Sequence, residues 1–261
     1  MGRVRTVALS GAAFALLALA CSKGEKPASG EAGSSGGAPA AASPGALGTA
    51  SVSGEVKFVG KAPANPAIDM SEEAKCKADY TTAPHQLIVV ANPNGTLSNV
   101  FVYVKSGVPA GATYPTPSAP VVIDQQGCLY HPRVFGIMVN QPLEIKNNDS
   151  LLHNIKALGK ANRPFNISQP AAGMTTTRTF TTQEVMLPVE CNVHGWMHAY
   201  VGVLPYPFFS TTAADGKYTI SNLPAGTYTV EAWHEKYGTQ TATVTVQDGE
   251  AKTVAFTFTA Q

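Results

Sequence analysis

The chain has 261 residues, and its 18 Lys and Arg against 17 Asp and Glu leave a formal charge of +1. With no Lys/Arg cluster or basic stripe after Arg5, it carries no electrostatic footprint for nucleic acid. Neither a His-Glu-x-x-His pair nor a phosphate loop occurs, so a chemical enzyme is disfavoured.

Met1-Gly-Arg3-Val-Arg5 is basic and precedes an apolar run, Val7 to Ala20, that is too short for a transmembrane helix. This is a signal-peptide pattern. Leu17-Ala-Leu-Ala20 before Cys21 resembles a bacterial lipoprotein processing site, although such sites more often carry Leu where Ala18 stands. The resemblance implies a signal peptide over 1–21, lipidation of Cys21, and an exported chain anchored to the envelope membrane, at its periplasmic face or at the outer membrane. Ordinary cleavage at the same small residues is the alternative. Residues 22–50 are almost entirely Gly, Ala, Ser and Pro and cannot bury enough apolar surface to fold. As a flexible coil this linker would span roughly 30 Å. About 210 residues then remain, enough for one large β domain or two small ones.

Gly54 to Gly60 alternates apolar and polar residues and predicts the first strand. A surface connection follows through Pro63, Pro66 and Asp69 to Lys77, with a helical turn expected at Ser71-Glu-Glu-Ala. Leu87 to Ala91 is a short apolar strand candidate, and Asn92-Pro-Asn-Gly95 is a turn. Asn99 to Lys105 alternates strongly, with Val100, Val102 and Val104 on one face and Phe101 and Tyr103 on the other. After a Pro-rich loop over 109–120, strands are expected at Ala119 to Asp124, Phe135 to Asn140, Leu143 to Lys146, Val185 to Glu190 and Ala199 to Leu204. Helices should be nearly absent.

Between the last two of these strands lies Cys191-Asn-Val-His194-Gly-Trp-Met197-His198. A thiolate, an imidazole and a thioether this close together are the ligands that soft transition metals, above all copper, select over calcium or magnesium. A second imidazole must come from elsewhere, and Leu152-His153-Asn154 lies far enough upstream to occupy a neighbouring strand. The candidate metal ligands are His153, Cys191, His194 and Met197, the last as a weak axial donor. His198 is a further candidate for the site; His131, His85 and His234 read as structural.

This set, with the Cys-x-x-His-x-x-Met spacing and the upstream His-Asn, resembles the cupredoxins, most closely the amicyanin-like members with short loops. The resemblance covers roughly residues 120–205. It implies a Greek-key β-sandwich, one type 1 copper, single-electron transfer to a redox protein partner, and Asn154 tying the two ligand loops together. It also implies that His194 presents its ring edge at an apolar surface for docking. Copper storage or delivery in the envelope, and a metal-free structural or adhesive module, are the alternatives.

With Cys21 and Cys191 given these roles, Cys76 and Cys128 remain, and export makes a disulfide between them the leading reading. The alternative is a Cys₂His₂ zinc site from Cys128, His131, Cys191 and His194. From about Pro205 the character changes to alternating strands broken by Gly and Pro: Asp215 to Ile220, Asn222 to Trp233, and Thr241 to Val246. Their Asp-Gly-x-Tyr and Leu-Pro-x-Gly-Thr-Tyr pattern resembles the carboxypeptidase regulatory-like β-sandwich modules, which are non-catalytic. The expected fold is therefore all-β, with a cupredoxin-like region over 51–205 and the β module over 206–261. Residues 51–110 are assignable to either, so the copper region could be inserted into the module or share one sheet with it.

Overall fold

The computed structural model describes residues 44–260. The signal-peptide pattern, Cys21 and most of the expected tether lie outside the described residues. In chain order the elements are β1 (Ala50–Val59), a five-residue helix α1 (Ala74–Ala78), β2 (Phe101–Ser106), β3 (Val121–Gln126), β4 (Leu129–His131), β5 (Val134–Met138), β6 (Leu143–Asn147), β7 (His153–Ala157) and β8 (Phe165–Gln169). They continue as β9 (Met174–Arg178), β10 (Glu184–Glu190), β11 (His198–Leu204), β12 (Phe209–Thr211), β13 (Lys217–Leu223), β14 (Gly226–His234), β15 (Gly238–Val246), β16 (Ala251–Thr253) and β17 (Phe256–Thr259).

The strands form two pairs of sheets, each pair around its own core. In the first, β1 pairs antiparallel with β13 and in parallel with β16 and then β17, while the facing sheet runs β12-β2-β14-β15. The period-2 geometry of a strand explains the choice of residues: Ala50, Val52, Val56 and Phe58 of β1 point inward, with more polar residues between them. They meet Val102 and Val104 of β2, Val230 of β14 and Phe256 and Phe258 of β17 in one apolar cluster. Each Val or Phe among them, fully buried, contributes about 1.5–3 kcal/mol.

The second pair consists of the sheets β5-β11-β10-β7-β8 and β4-β3-β6-β9. Ile123, Ile145, Ile155, Leu187, Val201 and Phe180 fill the space between them, and Cys191 and Met197 belong to the same cluster. β3 to β11 thus lie between β2 and β12 in sequence but pair with each other, whereas β1 and β2 pair with strands of the C-terminal stretch. β3 to β11 are therefore inserted, in pairing, between β2 and β12; β1 and β2 go with the C-terminal strands, whereas the stretch around α1 packs against Cys128 and Trp196.

The two pairs meet where two glycines face two aromatic rings. Gly136 of β5 and Gly202 of β11 are register partners, and a Cβ built on either would stand 2.3 Å from a ring atom, of Phe209 and Phe101 respectively. Without side chains there, Phe101 of β2 and Phe209 of β12 lie directly against the neighbouring sheet. Beside them Arg133 donates through Nε and Nη2 to both carboxylate oxygens of Glu235, at 2.7 and 2.8 Å, with each side chain only 8% exposed.

Several expectations need correction. Residues 44–50, assigned to the linker, carry structure: Pro44 bridges Thr113, Gly45 N donates to Thr113 O, and Ala50 is fully buried. Leu87 to Ala91 is not a strand; only Ala91 makes a bridge, to Leu97. The helical turn falls at α1, three residues later than expected. The neighbouring strand expected for His153, by contrast, is present: His153 opens β7, which pairs with β10.

Candidate metal centre

Four elements deliver the site. β10 ends at Glu190 and hands over to Cys191; the loop 191–197 returns to β11 at His198. The loop is closed by its own backbone, with Met197 N donating to His194 O at 2.9 Å and Cys191 N to Met197 O at 3.2 Å. His153 enters from β7, which pairs with β10 through Val189 and Glu190. A two-residue turn, Gly127-Cys128, joins β3 to β4, and both residues have positive φ, 61° and 57°. That is the geometry a tight hairpin requires; Gly127 adopts it freely, whereas Cys128 is held in it.

His153, Cys191 and His194 converge: their donor atoms all lie within 4.8 Å of one another. His153 Nδ1 faces His194 Nδ1 at 2.9 Å, and Cys191 Sγ is 4.0 Å from the same His194 nitrogen. All three residues are buried, at 0%, 3% and 2% exposure. His194 N–H also points at Cys191 Sγ, at 3.4 Å. Asn154 Oδ1 accepts from Asn192 N at 2.7 Å and lies 3.3 Å from Cys191 Sγ, so this side chain joins the two ligand segments. Tyr130 OH donates to Asn154 O and steadies it from below.

Burial alone would raise the Cys191 pKa, but hydrogen bonds from His153 and His194 and from the Asn154 and His194 backbones outweigh it and lower the pKa to about 5. The sulfur is therefore a thiolate near neutral pH, the form that binds metal. Burial opposes charge on His153 as well, yet Cys191 and Asp149 prevail and raise its pKa. With Nε2 held by Asp149, Nδ1 is the His153 nitrogen that would meet a cation.

Asp149 was not legible as a site residue. Its Oδ1 accepts from Gly127 N, and its Oδ2 accepts from Cys128 N and from His153 Nε2, all at 2.8 Å. The carboxylate thereby fixes His153 with Nδ1 aimed into the cluster, as metal-binding histidines require. The only sequence signal was its place four residues before His153, in a polar run that reads as a strand end.

The other candidates are distributed as follows. Met197 is fully buried in the same core cluster as Cys191. His198 opens β11 opposite Glu190 and belongs to none of the His/Cys/carboxylate groupings among the described residues. Cys76 and Cys128 are joined as a disulfide with a Cα–Cα distance of 5.6 Å. His131 is exposed and hydrogen-bonds Gln126 O, so the four zinc candidates do not assemble.

The expected open edge of His194 is overturned. Its Nε2 faces Cys76 Sγ at 3.8 Å and Glu73 Oε2 at 3.9 Å, and its ring lies 5.1 Å, centre to centre, from the Trp196 ring. The cover comes from the irregular stretch around α1, held by its own small cluster of Ile68, Met70, Cys76 and Cys128, against which Trp196 packs. Trp196 Nε1 donates to Cys128 O. The donor set suits a soft cation: one thiolate and two imidazoles, pre-assembled and screened from water.

A search of curated proteins finds no match to the chain. Among solved structures it is similar to a Cu-containing nitrite reductase from Thermus scotoductus SA-01 (23% identity, TM-score 0.31), covering 38% of this chain but only 25% of that one. An oxidised amicyanin mutant gives 17% identity and a TM-score of 0.30 over 39% of this chain and 97% of the amicyanin. A purple cupredoxin from Nitrosopumilus maritimus gives 22% and 0.28 over 32% and 98%. Its own strands make the chain an all-β protein; cupredoxins are among its structural neighbours, and its residues 205–259 match the carboxypeptidase regulatory-like domain family.

Proposed function

We propose that the chain binds one copper at His153, Cys191 and His194, with Met197 as axial donor, and passes single electrons to a redox protein partner. The observation that carries this reading is the convergence of one thiolate and two imidazole donors within 4.8 Å inside the buried core. Copper would supply a one-electron couple, Cu(II) to Cu(I). The protein's part is to hold the donors still: His153 on a paired strand with Asp149 behind it, Cys191 and His194 in a loop closed by its own hydrogen bonds. Fixed ligands change little between oxidation states, which keeps reorganisation small. No open position for a substrate is evident in this set, so the reading is a carrier rather than an enzyme. The N-terminal pattern supports export and a lipid anchor at Cys21.

The test is the visible spectrum of copper-loaded, oxidised protein. An intense thiolate-to-copper charge-transfer band is expected, and Cys191→Ser should abolish it while His198→Ala leaves it in place. A colourless protein with bound copper would rule out the type 1 centre.

One observation favours a second reading, copper storage or delivery. The covered Nε2 of His194 gives a partner no direct approach to a ligand, which a store does not need. Reversible voltammetry separates the two: a carrier cycles without losing metal, whereas a store releases copper to a Cu(I) chelator during cycling.

A further inference from the structure

His194 has two nitrogens, and the centre described above uses one. The other, Nε2, points away into a second buried group: the donor atoms of Cys76, Cys128 and His194 also lie within 4.8 Å of one another. Both cysteines are fully buried, and His194 is 2% exposed. The polar atoms facing Nε2, Cys76 Sγ and Glu73 Oε2, stand 3.8 and 3.9 Å away, too far for a strong hydrogen bond. This nitrogen is therefore buried with only weak company, beside two sulfurs.

We propose that Cys76, Cys128 and His194 Nε2 form a second soft-metal site, closed while the two sulfurs are bonded to each other and available to one Cu(I) once they are reduced. Two thiols and an imidazole are a ligand set that copper and zinc prefer and that calcium and magnesium refuse. Glu73 at the rim supplies an oxygen within reach of a fourth position.

The backbone allows the change. Cys128 is pinned, because its N–H donates to Asp149 and it sits in a two-residue hairpin turn. Cys76 lies on α1, one helical turn within a long stretch between β1 and β2 that belongs to no sheet. The movement that separates the sulfurs therefore falls on α1.

The chemistry balances with a dithiol as reductant. The S–S bond accepts two electrons and two protons, giving two thiols, while the dithiol closes to its own disulfide. Cu(I) then displaces both thiol protons. With Nδ1 turned to the first centre, Nε2 would be the His194 donor to the second. Only that sharing of the ring rests on the copper reading of the first centre.

The experiment counts Cu(I) against a chromogenic chelator. It uses the full chain and its Cys191→Ser variant, each with the disulfide intact and after reduction by a phosphine that is then removed. The reduced form should bind one more equivalent than the oxidised form in both proteins, and alkylating the two thiols should remove that equivalent. Adding His194→Ala should weaken it by about tenfold or more, since losing a ligand costs at least as much as losing a group behind one. Equal stoichiometry before and after reduction overturns the proposal, as does an extra equivalent indifferent to His194→Ala. If the first centre proves colourless while the reduction-dependent equivalent persists, the electron-carrier reading fails and this site stands.

Discussion

Asp149 shows what a single carboxylate does here. It takes two backbone N–H donors from the Gly127-Cys128 turn and one from the His153 ring, so it transmits the position of a hairpin to the orientation of a ligand. Asp149→Asn keeps the shape but sets an amide donor or a neutral oxygen against three donors. Copper affinity should fall about 10- to 100-fold, as for other groups behind metal ligands. Competition with a copper chelator measures this, and an affinity within twofold of the unsubstituted protein would show Asp149 to be idle. His153, Cys191, His194 and Met197 stood out in the sequence because a Cys, a His and a Met three apart, with a His-Asn upstream, are chemically unusual. Asp149 and Glu73 did not, since carboxylates in polar loops are common and nothing local marks which of them turns inward. The cover over His194 was equally hidden: it is made by residues more than a hundred positions away.

At the scale of elements, the strands with a clean apolar alternation, β1, β2 and β14, were legible, and the solvated edge strands β8 and β9 were not. β8 and β9 each end a sheet, and Phe-Asn-Ile-Ser-Gln and Met-Thr-Thr-Thr-Arg are largely solvated, so the pattern that marks a half-buried strand is faint. The paired glycines of β5 and β11 carry no pattern either, yet they decide how closely the two sandwiches approach. A side chain at Gly202 would meet the Phe101 ring and the Met186 side chain. Gly202→Val should therefore destabilise the protein by about 1–3 kcal/mol through overpacking, or more if the rings cannot turn. Because β11 is the strand that receives the metal loop, weaker copper retention is expected to accompany the loss. Chemical denaturation reads the first effect, and an unchanged midpoint would mean that the junction is looser than its geometry. Arg133 and Glu235 tie the same junction by charge. Removing one partner alone, as in Arg133→Met, should cost about 3–5 kcal/mol because it leaves a buried charge uncompensated, whereas replacing both by apolar residues should recover most of it. Similar stabilities for the single and double variants would show the pair to be solvated.

For the molecule as a whole, the nesting of one sandwich inside the other could not be read from the sequence, because strand order depends on which distant strands pair. Both arrangements, insertion and one shared sheet, have the same local patterns. The Cys76–Cys128 bond links the stretch between β1 and β2 to the β3–β4 turn across 52 positions. In the loop-entropy account it is worth about 4 kcal/mol, so reduction should lower the unfolding midpoint of metal-free protein measurably. Acid should lower it too, and His234 supplies one cause. Its ring is fully buried against Tyr237 and Phe258, and its Nδ1 accepts from the backbone N–H groups of Lys236 and Tyr237, so the neutral form is built into the fold. Burial, and then the nearby charge of Arg133, lower its pKa from 6.5 to about 4. Above pH 6.5 the ring is neutral whether the chain is folded or not, and it has no effect on stability. Between 6.5 and 4 the unfolded chain binds a proton that the folded one refuses, so stability falls as pH falls; below 4 both bind it and the loss levels off. From pH 7 to 4.5 the cost is on the order of 2 kcal/mol. In His234→Asn the side-chain oxygen can accept the same backbone donors but does not titrate. The variant should therefore lose about 2 kcal/mol less than the unsubstituted protein over that interval, with contributions from His153 and the carboxylates cancelling in the difference. Denaturant titrations of both proteins in metal-free buffer at the two pH values measure it, and parallel losses would show that His234 already holds its proton in the folded chain.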